Sequence, residues 1–274
     1  MKNTKLTALG IISLGLFSLN VNAKDDTNDA PDPADVTRVI SSIKVAAGTN
    51  SNDNDFAIET EFKLGGSFNS DNNFLTMISI NGANKDSDPY EDGFELREAR
   101  ARWFQVFGTG IGVMPKAGYS LDYIDRSNDD SEVIDNIIAA GAIFKVPVLK
   151  NWTVYPNVAA VQANVKDEYK VPGSDDGVGI QVNIFNSIYL SKKGTYLMVN
   201  PQYSYIDFDN YTTQDLLIET ILGTPISDNK RWWLNATYKE TFSDIDSDNK
   251  FISSKSFKAN DDKRQFRIGV TYYF

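Results

Sequence analysis

Alternation of apolar and polar residues recurs along most of this chain in runs of about ten residues or more. Between residues 111 and 123, odd-numbered positions such as Tyr119 and Leu121 are mostly apolar, whereas even-numbered positions such as Lys116 and Asp122 are mostly polar. A period of two places successive side chains on opposite faces of a β-strand. No segment beyond the N-terminal region shows a sustained helical period. The pattern therefore predicts an all-β protein.

Twelve such runs can be counted, and each is about as long as a tilted strand must be to cross a membrane. The runs cover residues 37–47, 55–68, 74–83, 94–106, 110–125, 133–148, 152–168, 177–191, 195–208, 215–226, 231–243 and 262–274. An even number of strands is what a closed single-chain bacterial barrel requires. Ten or fourteen strands remain alternatives.

The connections between the runs alternate between short and long. The short ones are residues 69–73, 107–110, 149–151, 191–194 and 227–230, and the longer polar ones include 83–93, 125–132, 169–176 and 243–261. In outer-membrane barrels short turns face the periplasm and long loops face outside. The sequence therefore predicts a transmembrane antiparallel up-and-down β-barrel of about twelve strands, with both termini at the short-turn end.

The N-terminus has the pattern of a cleavable signal peptide. Lys2 and Lys5 precede a mostly apolar run over residues 6–19, and residues 21–23, Val-Asn-Ala, supply small residues for cleavage. We expect residues 1–23 to be removed, and a retained N-terminal anchor is the alternative. Residues 24–35 are acidic, contain two prolines and predict a flexible lead-in. Residues 36–274 then form the barrel.

Composition narrows the functional classes. The chain has no cysteine and no histidine, which disfavours disulfides, histidine-ligated zinc and histidine-dependent hydrolysis. The formal charge is −10, and loss of Lys2 and Lys5 with the signal peptide makes it −12. Such a surface repels nucleic acid. We therefore expect neither an enzyme, nor a cofactor, nor a nucleic-acid partner, although inward carboxylates and hydroxyls leave an enzyme as a third alternative.

Charged residues fall on the inward phase of the predicted strands. Eight strands are just filled by their own side chains and sixteen leave a wide channel, so twelve predict a narrow pore. Turning Arg or Lys toward lipid at mid-bilayer costs about 2–4 kcal/mol. This cost supports the placement of the charged positions on the inward face of the strands. The predicted pore-lining residues are Glu59, Glu61, Lys63, Glu98, Arg100, Arg102, Lys116, Asp122, Asp135, Lys145 and Arg267.

One group of these inward charges has two interpretations. Glu98, Arg100 and Arg102 follow one strand, and guanidinium groups suit carboxylates and phosphates, so they predict an anion-guiding ladder. The alternative is that they form salt bridges with Glu59, Glu61 or each other.

Paired aspartates in the loops could likewise ligate calcium, but no complete EF-hand pattern is present and solvated loops are favoured. These pairs and triplets are Asp53 and Asp55, Asp129 and Asp130, Asp175 and Asp176, and Asp244, Asp246 and Asp248.

The last eleven residues, RQFRIGVTYYF, resemble the closing strand of Gram-negative outer-membrane proteins. In that class the terminal phenylalanine and the alternating apolar residues are read by the barrel-assembly machinery. The resemblance implies that this assembly signal consists of Phe266, Ile268, Val270, Tyr272 and Phe274. It also implies location in the outer membrane, in contact with lipid and lipopolysaccharide.

Within that class, twelve strands in about 250 residues are similar to the small monomeric porins for acidic oligosaccharides, and the stretch YLMVNPQYSY at residues 196–205 supports this. Nucleoside-specific channels share the strand number and size. The resemblance implies passive diffusion of small hydrophilic solutes, with acidic oligosaccharides as one class. The mixed charge of the predicted lumen departs from the family and argues against strong anion selectivity. A non-conducting barrel acting as an adhesin, phage receptor or structural protein is the alternative.

Overall fold

The structure is a computed structural model that describes residues 33–50, 55–84, 94–129, 132–167, 176–209, 211–246 and 263–274. Twelve β-strands account for most of these residues. They are β1 Ser42–Asn50, β2 Asp55–Asn69, β3 Asn72–Asn84, β4 Phe94–Ile111, β5 Met114–Asp125, β6 Ile134–Leu149, β7 Trp152–Val165, β8 Asp176–Tyr189, β9 Tyr196–Phe208, β10 Tyr211–Pro225, β11 Trp232–Asp246 and β12 Lys263–Tyr273. In the described part of the chain, no helix has the length and apolar character needed to cross a membrane.

The strands close into one barrel. Each strand pairs antiparallel with its neighbours in the sequence, and β1 pairs with β12 through partners such as Val45 and Val270. Among the twelve described strands, closure gives each one a neighbour on both sides, as the interior of a bilayer requires. The predicted fold, a transmembrane antiparallel up-and-down barrel of twelve strands, is confirmed.

The last strand shows how the two faces of the wall differ. Phe266 and Ile268 point outward and are 47% and 52% exposed, whereas Arg267 between them is 2% exposed and points into the barrel. Val270 and Phe274 are also exposed, and Tyr272 lies on the same outward face. Large apolar side chains cover the outer surface of the other strands in the same way, which is the arrangement that lipid favours.

Several predicted boundaries differ from the structure by three to five residues. The first run was predicted to begin at residue 37, but β1 begins at Ser42 and residues 37–41 are not in a strand. The predicted turn at 107–110 is part of β4, and the chain reverses at residues 112–113 instead. Apolar residues continue with a period of two through this reversal, so the pattern does not show where one strand ends and the next begins.

The connections define a short-turn end and a long-loop end of the barrel. The five turns of the short-turn end span between two and six residues, at 70–71, 112–113, 150–151, 190–195 and 226–231. At the other end the alternation is incomplete, because β9 and β10 are joined by only residues 209–210. The sequence predicted that β10 begins at residue 215, because residues 211–215 are polar on both faces.

Candidate functional site

The lumen changes character along the barrel axis, as the inward side chains of β4 show. Val106 and Phe104, near the short-turn end, are each 3% exposed. Arg102, Arg100 and Glu98 follow on the same face toward the long-loop end. The lumen therefore has an apolar layer at the short-turn end and a charged layer at mid-height.

The apolar layer is a packed cluster of inward side chains. Trp233 is 1% exposed, contacts the rings of Tyr196 and Tyr273, and donates from Nε1 to the Lys230 carbonyl at 2.6 Å. The cluster also contains Leu75, Met77, Phe104, Val106, Ile143, Tyr155 and Met198. Inside a barrel such a cluster excludes water, so this layer obstructs the axis.

Residues 33–41 complete the obstruction, and we call them the N-terminal plug. Ala34 and Ile40 belong to the apolar cluster and are 0% and 8% exposed. Gly65 of β2 admits the plug, because an added Cβ there would lie 2.5 Å from the Ile40 backbone nitrogen. The sequence predicted a flexible lead-in up to residue 35, but residues 33–35 are seated against the barrel wall. The seat is built from distant strands, which is why local composition did not reveal it.

Polar contacts fix the plug to the wall. The Asp35 carboxylate pairs with Lys145 and accepts hydrogen bonds from the Thr37 backbone N–H at 2.9 Å and from its hydroxyl at 2.6 Å. Lys116 donates to the Thr37 carbonyl at 3.0 Å. Burial alone would raise the pKa of Asp35, but Lys145 and Thr37 outweigh burial, so the pKa lies below its usual value. Asp35 is therefore ionised and paired at neutral pH.

At mid-height an ion-pair network, which we call the charged belt, joins strands on both sides of the β1–β12 seam. Lys44 Nζ lies 2.6 Å from Glu59 Oε1, and Lys239 Nζ lies 3.4 Å from the other oxygen of Glu59. Lys239 also reaches Glu219 of β10 at 3.4 Å. Lys63 pairs with Glu61 at 3.3 Å. These side chains neutralise one another, so this wall of the lumen is polar without a strong net charge.

The belt continues on β4 and β5, beyond β2 and β3 in the ring. Arg100 binds both carboxylate oxygens of Asp122, with Nε at 2.9 Å from Oδ1. Arg102 makes no ion pair within 4 Å among the described residues, although Asp122 and Glu219 lie within Coulombic range. It borders a cavity with room for about one water molecule, together with Ser120, Asn157 and Asn183. The Asn157 side-chain amide donates to the Ser120 hydroxyl at 2.6 Å, and the Asn183 side-chain amide donates to Asn157 Oδ1 at 2.9 Å.

Most of the predicted pore-lining residues face inward, but they fall into separate groups. Glu59, Glu61, Lys63, Arg100, Arg102 and Asp122 lie in the charged belt, and Glu98 lies beyond it toward the long-loop end. Lys116 and Lys145 hold the plug instead.

Two of the predicted residues have other surroundings. Arg267 is buried and donates to the carbonyls of Thr49 and Phe266 and to the Asn50 side chain. Asp135 lies at an irregularity of the β6–β7 ladder, between Ile134 and Asn136, and accepts from the Asn136 amide at 3.0 Å. It therefore does not follow the inward alternation from which it was predicted.

Sequence reasoning missed three members of the charged belt. Lys44 alternates with Ile43 and Val45, and Lys239 lies on the polar phase of β11, so the pattern contained a signal for both. Glu219 stands in a strand whose two faces differ less in polarity. The N-terminal plug was not predicted, because residues 33–35 were assigned to the flexible lead-in and residues 37–41 to the first strand.

The acidic loops give no metal site among the residues that the structure describes, in which no group of three or more potential ligands occurs. Asp53, Asp130, Asp175 and Asp248 lie outside those residues.

Comparison with known proteins supports the barrel fold. No family model matches the sequence, and no curated protein matches it. Among solved structures, the chain is similar to the COG4313 outer membrane channel from Pseudomonas putida F1, with a TM-score of 0.57, 7% identity, and coverage of 90% of this chain and 100% of that one. It is also similar to the NanC porin, with a TM-score of 0.50, 9% identity, and coverage of 84% and 98%. The expected resemblance to small porins is confirmed at the level of the fold.

Proposed function

We propose that this protein is an outer-membrane channel through which small hydrophilic solutes diffuse passively. The observation that carries the proposal is the charged belt, in which ionised side chains from at least six strands face the lumen of a closed barrel. Such groups are costly in an apolar interior but are readily hydrated in a polar pore. The structural neighbours described as an outer membrane channel and as a porin add to this support.

The solute class follows from the balance of charges. Because most lysines and glutamates of the charged belt are paired, the lumen favours neutral and weakly charged hydrophilic solutes over strongly charged ones. Arg102 is the exception, since its guanidinium group has no carboxylate partner within 4 Å among the described residues. A guanidinium can bind a carboxylate through two hydrogen bonds. Acidic oligosaccharides are therefore included among the proposed solutes.

Location and assembly belong to the same proposal. Residues 1–23 would direct export as a cleaved signal peptide, and they lie outside the described residues. The outward row that begins at Phe266 of β12 and ends at Phe274, directly after the strand, would be read by the barrel-assembly machinery. The exposed apolar surface would then contact outer-membrane lipid and lipopolysaccharide, with the short-turn end in the periplasm.

A non-conducting surface barrel is the second candidate, and the N-terminal plug favours it. Ala34 and Ile40 close the apolar layer, and ion pairs fill much of the charged belt. A barrel that stayed in this state would serve as an adhesin, a phage receptor or a structural protein. No covalent chemistry is proposed in either case.

Conductance in planar bilayers tests the channel. Three refolded proteins should be compared: the chain from residue 24 onward, a variant lacking residues 24–38, and a control lacking only 24–32. The control keeps the seated residues of the plug. We expect the variant without residues 24–38 to conduct at least severalfold more than the other two. If all three are silent, the channel function is wrong and the non-conducting barrel is favoured.

Liposome swelling then tests the solute class. Uncharged and acidic oligosaccharides of equal length should both enter through the variant lacking residues 24–38. Replacing Arg102 with Gln should slow the acidic sugar and leave the uncharged one unchanged. An unchanged rate for the acidic sugar with Arg102→Gln would contradict the role of Arg102 but not the channel.

A further inference from the structure

A chain of charged side chains crosses the lumen at the long-loop end. Arg126 directly follows β5, Glu132 lies two residues before β6, and Lys263 is the first residue of β12. In the ring order of the barrel, six steps separate β6 from β12 in either direction. Twelve tilted strands at the usual spacing give a barrel about 24 Å across. Glu132 and Lys263 thus come from opposite walls.

Their side chains nevertheless meet. Glu132 Oε1 lies 2.5 Å from Lys263 Nζ, and Glu132 Oε2 lies 3.7 Å from Arg126 Nη1. Arg126 Nε donates to Glu98 of β4 at 2.9 Å. A continuous chain of alternating charges therefore runs from β4 to β12. We call Arg126, Glu132 and Lys263 the outer bridge.

The backbone on the β5–β6 side is held in this inward position. The Glu132 N–H donates to the Asp129 carbonyl at 3.0 Å, and the Asp129 N–H donates to the Arg126 carbonyl at 3.0 Å. The Lys166 N–H donates to the Val133 carbonyl at 3.0 Å, while its ammonium group binds the Asp129 carbonyl. Lys263 has less support, because it begins its strand and its side chain is 35% exposed.

Burial alone would raise the pKa of Glu132, but Arg126 and Lys263 outweigh burial and hold it below its usual value. Glu132 is therefore ionised at neutral pH. The three side chains are between 22% and 35% exposed, so water and salt reach them. Solvated ion pairs are individually weak and are screened by salt. The outer bridge can thus form and break without unfolding the barrel.

We propose that the outer bridge is a salt-sensitive gate that controls entry of solutes into the lumen from the long-loop end. When Glu132 and Lys263 are paired, their side chains divide the mouth. When the pair separates, both side chains fall back toward their own walls. This regulation rests on the proposed channel function for its biological meaning, but access to the lumen can be measured without conductance.

The absence of native cysteine allows a single reporter thiol. Ser79 of β3 faces inward at mid-height, is half-buried, and pairs in register with Glu61 and Arg100. Ser79→Cys should react with small methanethiosulfonate reagents only after they pass the outer bridge, since the N-terminal plug closes the other end. A cationic and an anionic reagent should both be used on the refolded chain from residue 24 onward.

Glu132→Gln and Lys263→Gln are the test variants. They change the lumen charge in opposite directions, yet both break the pair. We expect each to accelerate labelling by both reagents about fivefold or more, the population shift that loss of one weak pair produces. High salt should accelerate labelling of the parent and have little further effect on the variants.

Arg264→Gln is the matched control, because Arg264 follows Lys263 on β12, faces outward and pairs with Glu240. Lys263→Arg should retain slow labelling. Rates equal to those of Arg264→Gln, opposite responses to the two reagents, or a thiol that stays unreactive in every variant would overturn the gate. Faster labelling of these variants, together with electrical silence of the barrel lacking residues 24–38, would refute the channel function while supporting the gate.

Discussion

Near the short-turn end, the inward side chains of β4 and β11 are apolar, as Val106 and Trp233 show. A few residues further along the same strands they are Arg100 and Lys239. The apolar layer is stabilised by packing, which needs no particular partner and excludes water. The charged belt is stabilised by reciprocal ion pairs, in which each member depends on another. One end of the lumen is therefore suited to closure, and the middle is suited to hydration.

The largest expected effect on stability comes from removing a large side chain from the apolar layer. Trp233→Ala removes a side chain that is 1% exposed and should lower the free energy of unfolding by about 3–5 kcal/mol. This loss can be measured by urea unfolding in vesicles, with the folded fraction determined from the heat-modifiable electrophoretic mobility of the barrel. The neighbouring Trp232, which is 47% exposed on the lipid face, gives the matched control Trp232→Ala. Equal losses for the two variants would contradict a packed inner layer.

A smaller loss is expected from the charged belt. Glu59→Gln removes the charge that Lys44 and Lys239 share, and loss of charged hydrogen bonds costs about 1.5–3 kcal/mol. Because the interaction is reciprocal, Lys44→Gln should cost less in the Glu59→Gln background than in the parent. The same unfolding assay measures both. Glu240→Gln breaks an exposed outward pair and should change little; an effect as large as that of Glu59→Gln would argue against a special role of the charged belt.

The smallest effect is a pH dependence at the junction of the N-terminal plug with the wall. The folded-state pKa of Asp35 is lowered from 3.8, so its pairing stabilises the docked plug above that value and is lost as the pH falls through the folded-state pKa. A spin label at Val39→Cys, an exposed position of the plug, should stay immobile at neutral and mildly acidic pH. It should become mobile only in stronger acid.

Asp35→Asn is the control for this measurement, because it removes the titrating charge. The label should then be more mobile at neutral pH and respond weakly to acid. Release of the parent plug between neutral pH and pH 5 would show that a group other than Asp35 holds it.

Much of the wall could be predicted from local pattern. Phe266, Ile268 and Val270 alternate with Arg267 and Gly269, and the structure places the apolar set outside. Strand boundaries were harder, because alternation continues through the reversal at residues 112–113 and fails over Tyr211–Asp215. A period of two identifies faces, whereas an end of a strand depends on hydrogen bonding to its neighbours.

The sequence by itself predicted about twelve strands and, for most of them, the side that faces lipid, because side-chain alternation is a local property of an extended backbone. Only the tertiary structure decided which charges meet and what fills the lumen. The contact of Glu132 with Lys263, the pairing of Glu59 with Lys239 and the seating of Ala34 join segments far apart in the chain. Such contacts depend on barrel closure and strand register, which no single stretch of residues encodes.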